Sequence, residues 1–166
     1  MKISDAFVAE FDMEMANTRK VLERVPDAKF SWKPHEKSWN MGGLAGHVAN
    51  LPGWGTMTIN TEELNLVPPF TQPPMNNSAE LLAVFDKNVS EARAAIAGAS
   101  NDHLMGPWSL KVQGKTMMTM PRVAVLRNMV FNHIVHHRGQ LTVYLRLNDI
   151  PVPGMYGPSA DEAKMF

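Results

Sequence analysis

The sequence contains no cysteine among its 166 residues. This absence excludes a disulfide framework, a cysteine-type zinc site and a cysteine nucleophile. Any metal ion would therefore have to be held by histidine, carboxylate or water. Hydrophobic residues make up 45% of the chain, which is enough to bury the core of one ordinary globular domain. We expect a single domain over residues 1–166.

An excess of charge of either sign is also lacking, because 16 Lys and Arg residues balance 16 Asp and Glu residues. This balance indicates neither a nucleic-acid partner nor a membrane surface, and it does not oppose self-association. No run of about 18 uncharged apolar residues is present, so no membrane span is expected. The charged segment MKISDAFVAEFDMEMANTRK lacks the apolar centre of a signal peptide, and we expect a cytoplasmic protein.

Four segments have helical character, because their apolar residues recur at about helical spacing or capping signals flank them. Asn40 and Asn77 are the predicted N-caps, and Glu80 completes a capping box with Asn77. Pro121 suits the first position of the last helix. The four predicted helices cover about residues 4–24, 40–64, 77–99 and 121–147.

Proline and glycine predict where regular structure is interrupted. Pro52 predicts a kink or a local break in the second helix. The segment NLVPPFTQPPMNN, residues 65–77, is too rich in proline for a helix, and when extended it spans roughly 40 Å, enough to return along a whole helix. In WSLKVQGKTMM, Gln113 and Gly114 suit the turn of a short hairpin. The tail after residue 150 is predicted to be irregular.

Four long helices with one long crossover predict an all-α four-helix bundle.

Half of the six histidines lie in FNHIVHHRGQ, residues 131–140. His133 shares a helix face with both His136 and His137, so either pair could chelate one ion. Neutral imidazoles suit divalent metals such as Zn, Ni, Cu or Fe. The alternative is a surface or hydrogen-bonded cluster without metal. Apolar residues extend the His133/His137 stripe in both directions and favour a buried pair, which needs partners. These apolar residues are Leu126, Val130, Leu141 and Tyr144.

A metal site needs at least a third protein ligand, and His47 is the candidate. It lies between Leu44 and Leu51 in the apolar second helix. A lone histidine on an apolar face is more often a core residue with a hydrogen-bond partner. Facing a histidine pair across the core, it becomes a third ligand. His35 and His103 lie in polar connections and are predicted to face solvent.

Three stretches give the chain a resemblance to a known family. They are NMGGLAGHVANLPGW at residues 40–54, NHIVHHRGQLTVYLR at 132–146 and IPVPGMYGPSADE at 150–162. With these stretches the sequence resembles the DinB-like (DinB/YfiT) family, whose members are expected to be metal-dependent enzymes. The resemblance covers nearly the whole chain in the same order. Its most specific part is HxxxHRGQL placed after a distant helical histidine.

The resemblance implies a four-helix bundle in up-down-down-up order. It also implies that the metal ligands are His47, His133 and His137, which decides between His136 and His137. Three histidine ligands leave a coordination position open, as in catalytic rather than structural sites. Members of the family are often homodimers, and some relatives are thiol-dependent transferases or isomerases.

Residues near the three histidines have predicted supporting roles. His136 is expected to make a hydrogen bond rather than to bind metal, and Gln140 to contact substrate or a ligand histidine. Asn50 and Trp54 follow one and two turns after the second-helix histidine. They either line the pocket or pack around the proline break.

The two residues after His137 have predicted structural roles. Arg138 is expected in an ion pair or an interface. Gly139 costs helix stability, and close packing beside the site would explain it.

These observations predict an enzyme with a three-histidine site for Zn, Ni or Fe, acting on a small molecule by thiol-dependent transfer or by hydrolysis. A low-molecular-weight thiol is the expected partner molecule, and a homodimer the expected assembly. The alternative is a non-catalytic dimeric module that binds metal or responds to stress. The sequence indicates no general acid or base, so no catalytic residue is assigned.

Overall fold

Long helices dominate the protein in a computed structural model, which describes residues 2–69 and 75–162. The α-helices are α1 Ile3–Leu22, α2 Met41–Asn60, α3 Ser78–Gly98, α4 Asn101–Met105, α5 Arg122–Val125 and α6 His133–Arg146. A 3-10 turn spans Asp27–Lys29, and a π-helical segment, Leu126–Asn132, joins α5 to α6. The strands are β1 Glu63–Leu66, β2 Pro107–Val112 and β3 Lys115–Pro121.

Capping residues fix the starts of α2 and α3, as the sequence predicts. Asn40 Oδ1 accepts a hydrogen bond from the Gly43 N–H at 2.7 Å, and Asn77 Oδ1 accepts one from the Glu80 N–H at 2.8 Å. The Glu80 carboxylate in turn accepts from the backbone N–H of Asn76 at 2.9 Å. The bonds to Asn40 and Asn77 satisfy N–H groups that a helix leaves without partners in its first turn.

The structure corrects two predictions about α2. No local break occurs at Pro52, because the helix runs continuously through this buried residue. The helix also ends at Asn60 rather than near Leu64, because residues 63–66 pair as strand β1 instead. Of the predicted crossover at 65–77, residues 70–74 lie outside the described residues.

The all-α expectation is wrong, because a three-stranded sheet of order β1-β2-β3 is present. The predicted hairpin is confirmed: β2 and β3 are antiparallel, and Val112 pairs with Lys115 across the turn. Gln113 and Gly114 both have positive φ, 49° and 78°, as the tight primed turns of two-residue hairpins require. The parallel pairing of β1 with β2 had no counterpart in the predicted elements.

The core lies where α1, α2, α3 and α6 pack on one another. Aromatic and aliphatic side chains fill it, including the edge-to-face pair of Phe7 and Phe131 at 5.4 Å. Helix α2 packs against α3 on one side and against the π-helical segment and α6 on the other. That position brings one face of α2 opposite the start of α6. Within the described residues, no helix combines the length and apolar character that crossing a membrane would need.

Candidate metal centre

Three histidines from two helices converge at the start of α6. His47 comes from α2, and His133 and His137 come from the first two turns of α6. His47 Nε2 lies 3.3 Å from His133 Nε2, and the ring centroids of His47 and His137 are 4.6 Å apart. One nitrogen of each ring lies within 4.8 Å of the others, and all three residues are half-buried.

Backbone hydrogen bonds hold the N-terminal end of α2 against the preceding loop and so position His47. Met41 N–H donates to the Trp32 carbonyl at 2.8 Å, and Gly42 N–H donates to the Phe30 carbonyl at 2.9 Å. A Cβ at Gly42 would lie 2.8 Å from the Phe30 ring, so the loop approaches closer than any other residue would allow.

The other two histidines follow an irregular stretch of helix. The π-helical segment Leu126–Asn132 ends at the residue before His133. Each π turn inserts one additional residue, which rotates the following side chains by about 100° relative to the preceding ones. The rotation sets which face of α6 is directed at α2. Its location beside the cluster agrees with the tendency of π-helical turns to occur at functional sites.

The three imidazoles have lowered pKa values, so they are neutral at neutral pH. Burial is the main cause for His47, and the two neighbouring histidines add to it, which together lower its pKa to about 4. Burial also lowers the pKa of His133, with an opposing hydrogen bond to the Met129 backbone. It lowers the pKa of His137 as well. Neutral imidazoles keep a lone pair for a metal ion.

Gln140 fixes the tautomer of His137. The Oε1 atom of Gln140 lies 2.7 Å from Nδ1 of His137 and accepts its proton in a hydrogen bond. The lone pair of His137 is therefore on Nε2. Hydrogen bonds of this kind, made by the nitrogen that does not bind metal, orient histidine ligands in metal sites.

Trp39 contacts two of the three histidines and was not singled out by sequence reasoning. Its indole lies nearly parallel to the His137 ring, with 6.0 Å between centroids and 19° between planes. It meets His47 edge-to-face at 5.0 Å. The Tyr144 hydroxyl donates to the Trp39 carbonyl at 3.1 Å. The one feature of the sequence that could have pointed to Trp39 is its position directly before the Asn40 cap, at the start of the helix that carries His47.

The remaining predicted site residues lie around the cluster or away from it. His136 is exposed, and its ring centroid is 4.8 Å from that of His137. The Asn50 amide donates to the Gly46 carbonyl at 2.9 Å. Trp54 is half-buried and packs against the hydrophobic core.

Two predictions about neighbouring residues are wrong. Gly139 is exposed. Apart from its chain neighbours and its own helix backbone, no atom of the described residues lies within 4 Å of the place where its Cβ would be, so close packing does not explain it. His103 is half-buried rather than solvent-facing, and its Nε2 lies 2.7 Å from the Ile59 carbonyl. His35 is exposed, as predicted.

Arg138 is buried in an ion pair, one of the two roles predicted for it. Its guanidinium lies 2.7 Å from a Glu14 carboxylate oxygen and also donates to the Thr18 hydroxyl at 3.1 Å. The Tyr156 hydroxyl donates to Glu14 at 2.7 Å and thereby ties the C-terminal tail to α1. Arg138 thus anchors α6 directly behind His137.

The geometry of the three histidines fits a divalent transition metal. Metal–nitrogen bonds of about 2.0–2.1 Å at tetrahedral angles place two ligand nitrogens about 3.3–3.4 Å apart. The observed 3.3 Å between the Nε2 atoms of His47 and His133 matches this spacing. All three nitrogens lie close enough that side-chain rotation could bring them to one ion. The cluster is therefore compatible with a metal site.

These features define the class of protein: a mostly helical chain with a small sheet and a three-histidine cluster that could hold a metal ion. A model of the DinB family matches residues 1–164, and the chain therefore belongs to the DinB family.

Known proteins are similar to this chain in sequence or in fold. The chain is 29% identical to the uncharacterized protein YrdA of Bacillus subtilis over 163 aligned residues. The alignment covers 98% of this chain and 93% of that protein. A crystal structure of a DinB-like protein from Bacillus cereus shares the fold, with a TM-score of 0.72, 22% identity, and coverage of 93% of this chain and 98% of the other. A second crystal structure, of the DinB-like protein YjoA from Bacillus subtilis, has a TM-score of 0.68 and 18% identity. It covers 95% of this chain and 98% of the other.

Proposed function

We propose that this protein binds one divalent transition-metal ion through His47, His133 and His137 and uses it in a reaction on a small molecule. The observation that carries the proposal is the convergence of three neutral imidazoles at ligand spacing, one of them oriented by Gln140.

The donor set favours Zn, Ni or Fe as the metal. All three ligands are imidazoles, which suit borderline divalent ions, whereas Mg and Ca prefer oxygen ligands. The chain has no cysteine that would add a thiolate and close the site. Three protein ligands leave a position for a substrate or a small thiol.

The proposed reaction is thiol-dependent transfer or hydrolysis. When bound, the ion would supply Lewis-acid activation of a small thiol or of water. Gln140 holds the His137 ring in its ligand orientation, and Trp39 covers one side of both His137 and His47. The half-buried position of the cluster limits contact with bulk water while leaving one side accessible.

The proposal extends to the assembly. The long helices would form a four-helix bundle in up-down-down-up order, and two chains would form a homodimer in the cytoplasm. The family resemblance supports both points, and the absence of net charge leaves self-association unopposed. Light scattering of the purified chain measures the assembly directly.

The test is the metal content of tag-free protein, measured by elemental analysis after incubation with Zn, Ni or Fe and removal of excess ion. We expect about one ion per chain in the wild type, and a loss of binding in His47→Ala and His137→Ala. His35→Ala is the matched control, because His35 is exposed and lies outside the cluster. Wild-type protein that binds no ion, or ligand variants that bind as tightly as wild type, would exclude the proposed site.

A second measurement separates an enzyme from a non-catalytic module. Azide or a small thiol is added to cobalt-substituted protein, and the visible spectrum is recorded. A spectral change that saturates shows an open coordination position, as an enzyme requires. An unchanged spectrum shows a closed site and favours the structural module.

A further inference from the structure

A cavity of about 450 Å³ opens directly beside the histidine cluster. This volume lies in the range of pockets that bind small molecules. His137 and Gln140 line one side of it, and the loop before α2 lines the other through Lys37 and Trp39. Leu44 and Val143 add apolar surface.

The charge of the cavity has one sign. Among its described lining residues Lys37 is the one lysine or arginine. No carboxylate belongs to the described lining, and the adjacent Glu36 is not part of it. The Lys37 ammonium forms no ion pair with any residue that the structure describes. An anionic group entering the cavity would therefore meet an uncompensated positive charge.

The cavity also has a fixed aromatic wall. Trp39 is 53% exposed, yet its ring stacks on His137 and its carbonyl is held by the Tyr144 hydroxyl. A side chain that is already ordered loses little entropy when a ligand packs against it. An exposed indole held in this way is a stacking surface for a flat apolar group.

We propose that this cavity binds a small organic anion that combines a flat apolar group with one carboxylate or a similar acidic group. Lys37 would pair with the acid, and Trp39 would pack against the apolar group. The site would deliver such a molecule to the side of His137. The inference rests on the proposed function in that the cavity serves the metal centre, although the binding itself requires no metal.

The test uses phenylacetate and phenylacetamide, which have the same ring and nearly the same size but differ by one negative charge. Binding is followed by two-dimensional nitrogen-15 NMR at the Trp39 indole N–H signal, identified by its loss in Trp39→Phe. We expect phenylacetate to shift this signal with the higher affinity. Lys37→Met should weaken phenylacetate about two- to fivefold, the range of a solvent-exposed ion pair, and leave phenylacetamide unchanged. Lys20→Met is the matched control, because Lys20 is an exposed lysine on α1 that does not line the cavity.

Repeating the titration on metal-free protein distinguishes this inference from the proposed metal site. Phenylacetate binding that persists without metal and depends on Lys37 supports the cavity, even if the chain binds no ion at all. Equal affinities for the two probes overturn the inference, as does an unchanged affinity in Lys37→Met. Binding that requires the ion and ignores Lys37 also overturns it, because the carboxylate would then be a metal ligand only.

Discussion

The side-chain oxygen of Gln140 lies 2.7 Å from Nδ1 of His137, one turn earlier on the same helix. With the proton of His137 on Nδ1, the lone pair of Nε2 is left for a metal ion. Replacing Gln140 by Leu removes the acceptor and frees the ring to change tautomer and rotate. We expect metal affinity to fall by about 10- to 100-fold, the usual effect of losing such a partner. Competition with a chromogenic chelator measures the affinity.

His136→Ala is the control for that change, because His136 is exposed and neighbours the same histidine. It should leave the affinity within about twofold. If Gln140→Leu binds metal as tightly as His136→Ala, the hydrogen bond does not orient a metal ligand.

The stacking of Trp39 on His137 makes this tryptophan a reporter of metal binding. A paramagnetic ion at the histidine cluster would lie close to its indole and quench its fluorescence. We expect Ni²⁺ to lower the emission of the wild type and to have a much smaller effect in Trp39→Phe. In Trp32→Phe the quenching should persist. Among the described ring pairs Trp32 packs on Tyr144 and contacts none of the three histidines. Equal quenching in the two variants would place the ion elsewhere.

The lowered pKa of His47 predicts how the stability of the metal-free protein depends on pH. Its folded-state value of about 4 lies below the ordinary 6.5, so the unfolded chain takes up a proton first as the pH falls. The free energy of unfolding should therefore decrease from about pH 6.5 to about pH 4 and then change no further on account of this group. His133 and His137, whose pKa values are also lowered, act in the same direction.

Thermal unfolding of metal-free wild type and His47→Gln across this pH range measures the effect. The substituted protein should lose less stability on acidification, because the neutral amide does not titrate. His35→Gln should follow the wild type. Parallel curves for wild type and His47→Gln would contradict the prediction.

The buried pair of Arg138 and Glu14 should contribute strongly to the integrity of the fold. Their side chains are 1% and 6% exposed, so removing one partner leaves a buried charge without compensation. We expect Arg138→Met to lower the free energy of unfolding by about 3–5 kcal/mol. The exposed pair of Arg93 and Asp12 offers the comparison, and Arg93→Met should leave the free energy of unfolding nearly unchanged. Urea denaturation of both variants measures the difference, and equal losses would contradict it.

Two glycine substitutions should have opposite effects on stability. Gly139→Ala adds a methyl group into open space on an exposed helix and should raise the free energy of unfolding by about 1 kcal/mol. Gly42→Ala places its Cβ 2.8 Å from the Phe30 ring and should lower it. The two melting temperatures, compared with the wild type, test both signs at once.

Much of the helical part of the fold could be predicted from the sequence. The caps at Asn40 and Asn77 and the hairpin turn at Gln113 are local signals, which depend on the hydrogen bonds and φ angles of a few adjacent residues. The end of α2 could not be predicted in this way. Residues 63–66 become a strand because β2, more than 40 residues later, supplies their partners.

The candidate site divides in a similar way. Spacing paired His133 with either His136 or His137, and the apolar second helix made His47 the candidate third ligand. The family resemblance then decided for His137. The structure brings the three together, while metal binding stays a prediction. The packing predicted at Gly139 was wrong because helix propensity depends on the residue and its own helix. It gives no information on which other parts of the fold lie beside it.

The sequence by itself determined the residue types available for a metal site, the caps that start α2 and α3, and the spacing on α6, because each follows from composition or from contacts a few residues apart. Only the tertiary structure decided that His47 lies against His133 and His137, that Trp39 contacts both His47 and His137, and that Lys37 lines a cavity beside them. These relationships join residues far apart in the chain. They depend on how α2 and its preceding loop pack against α6, which no single segment specifies.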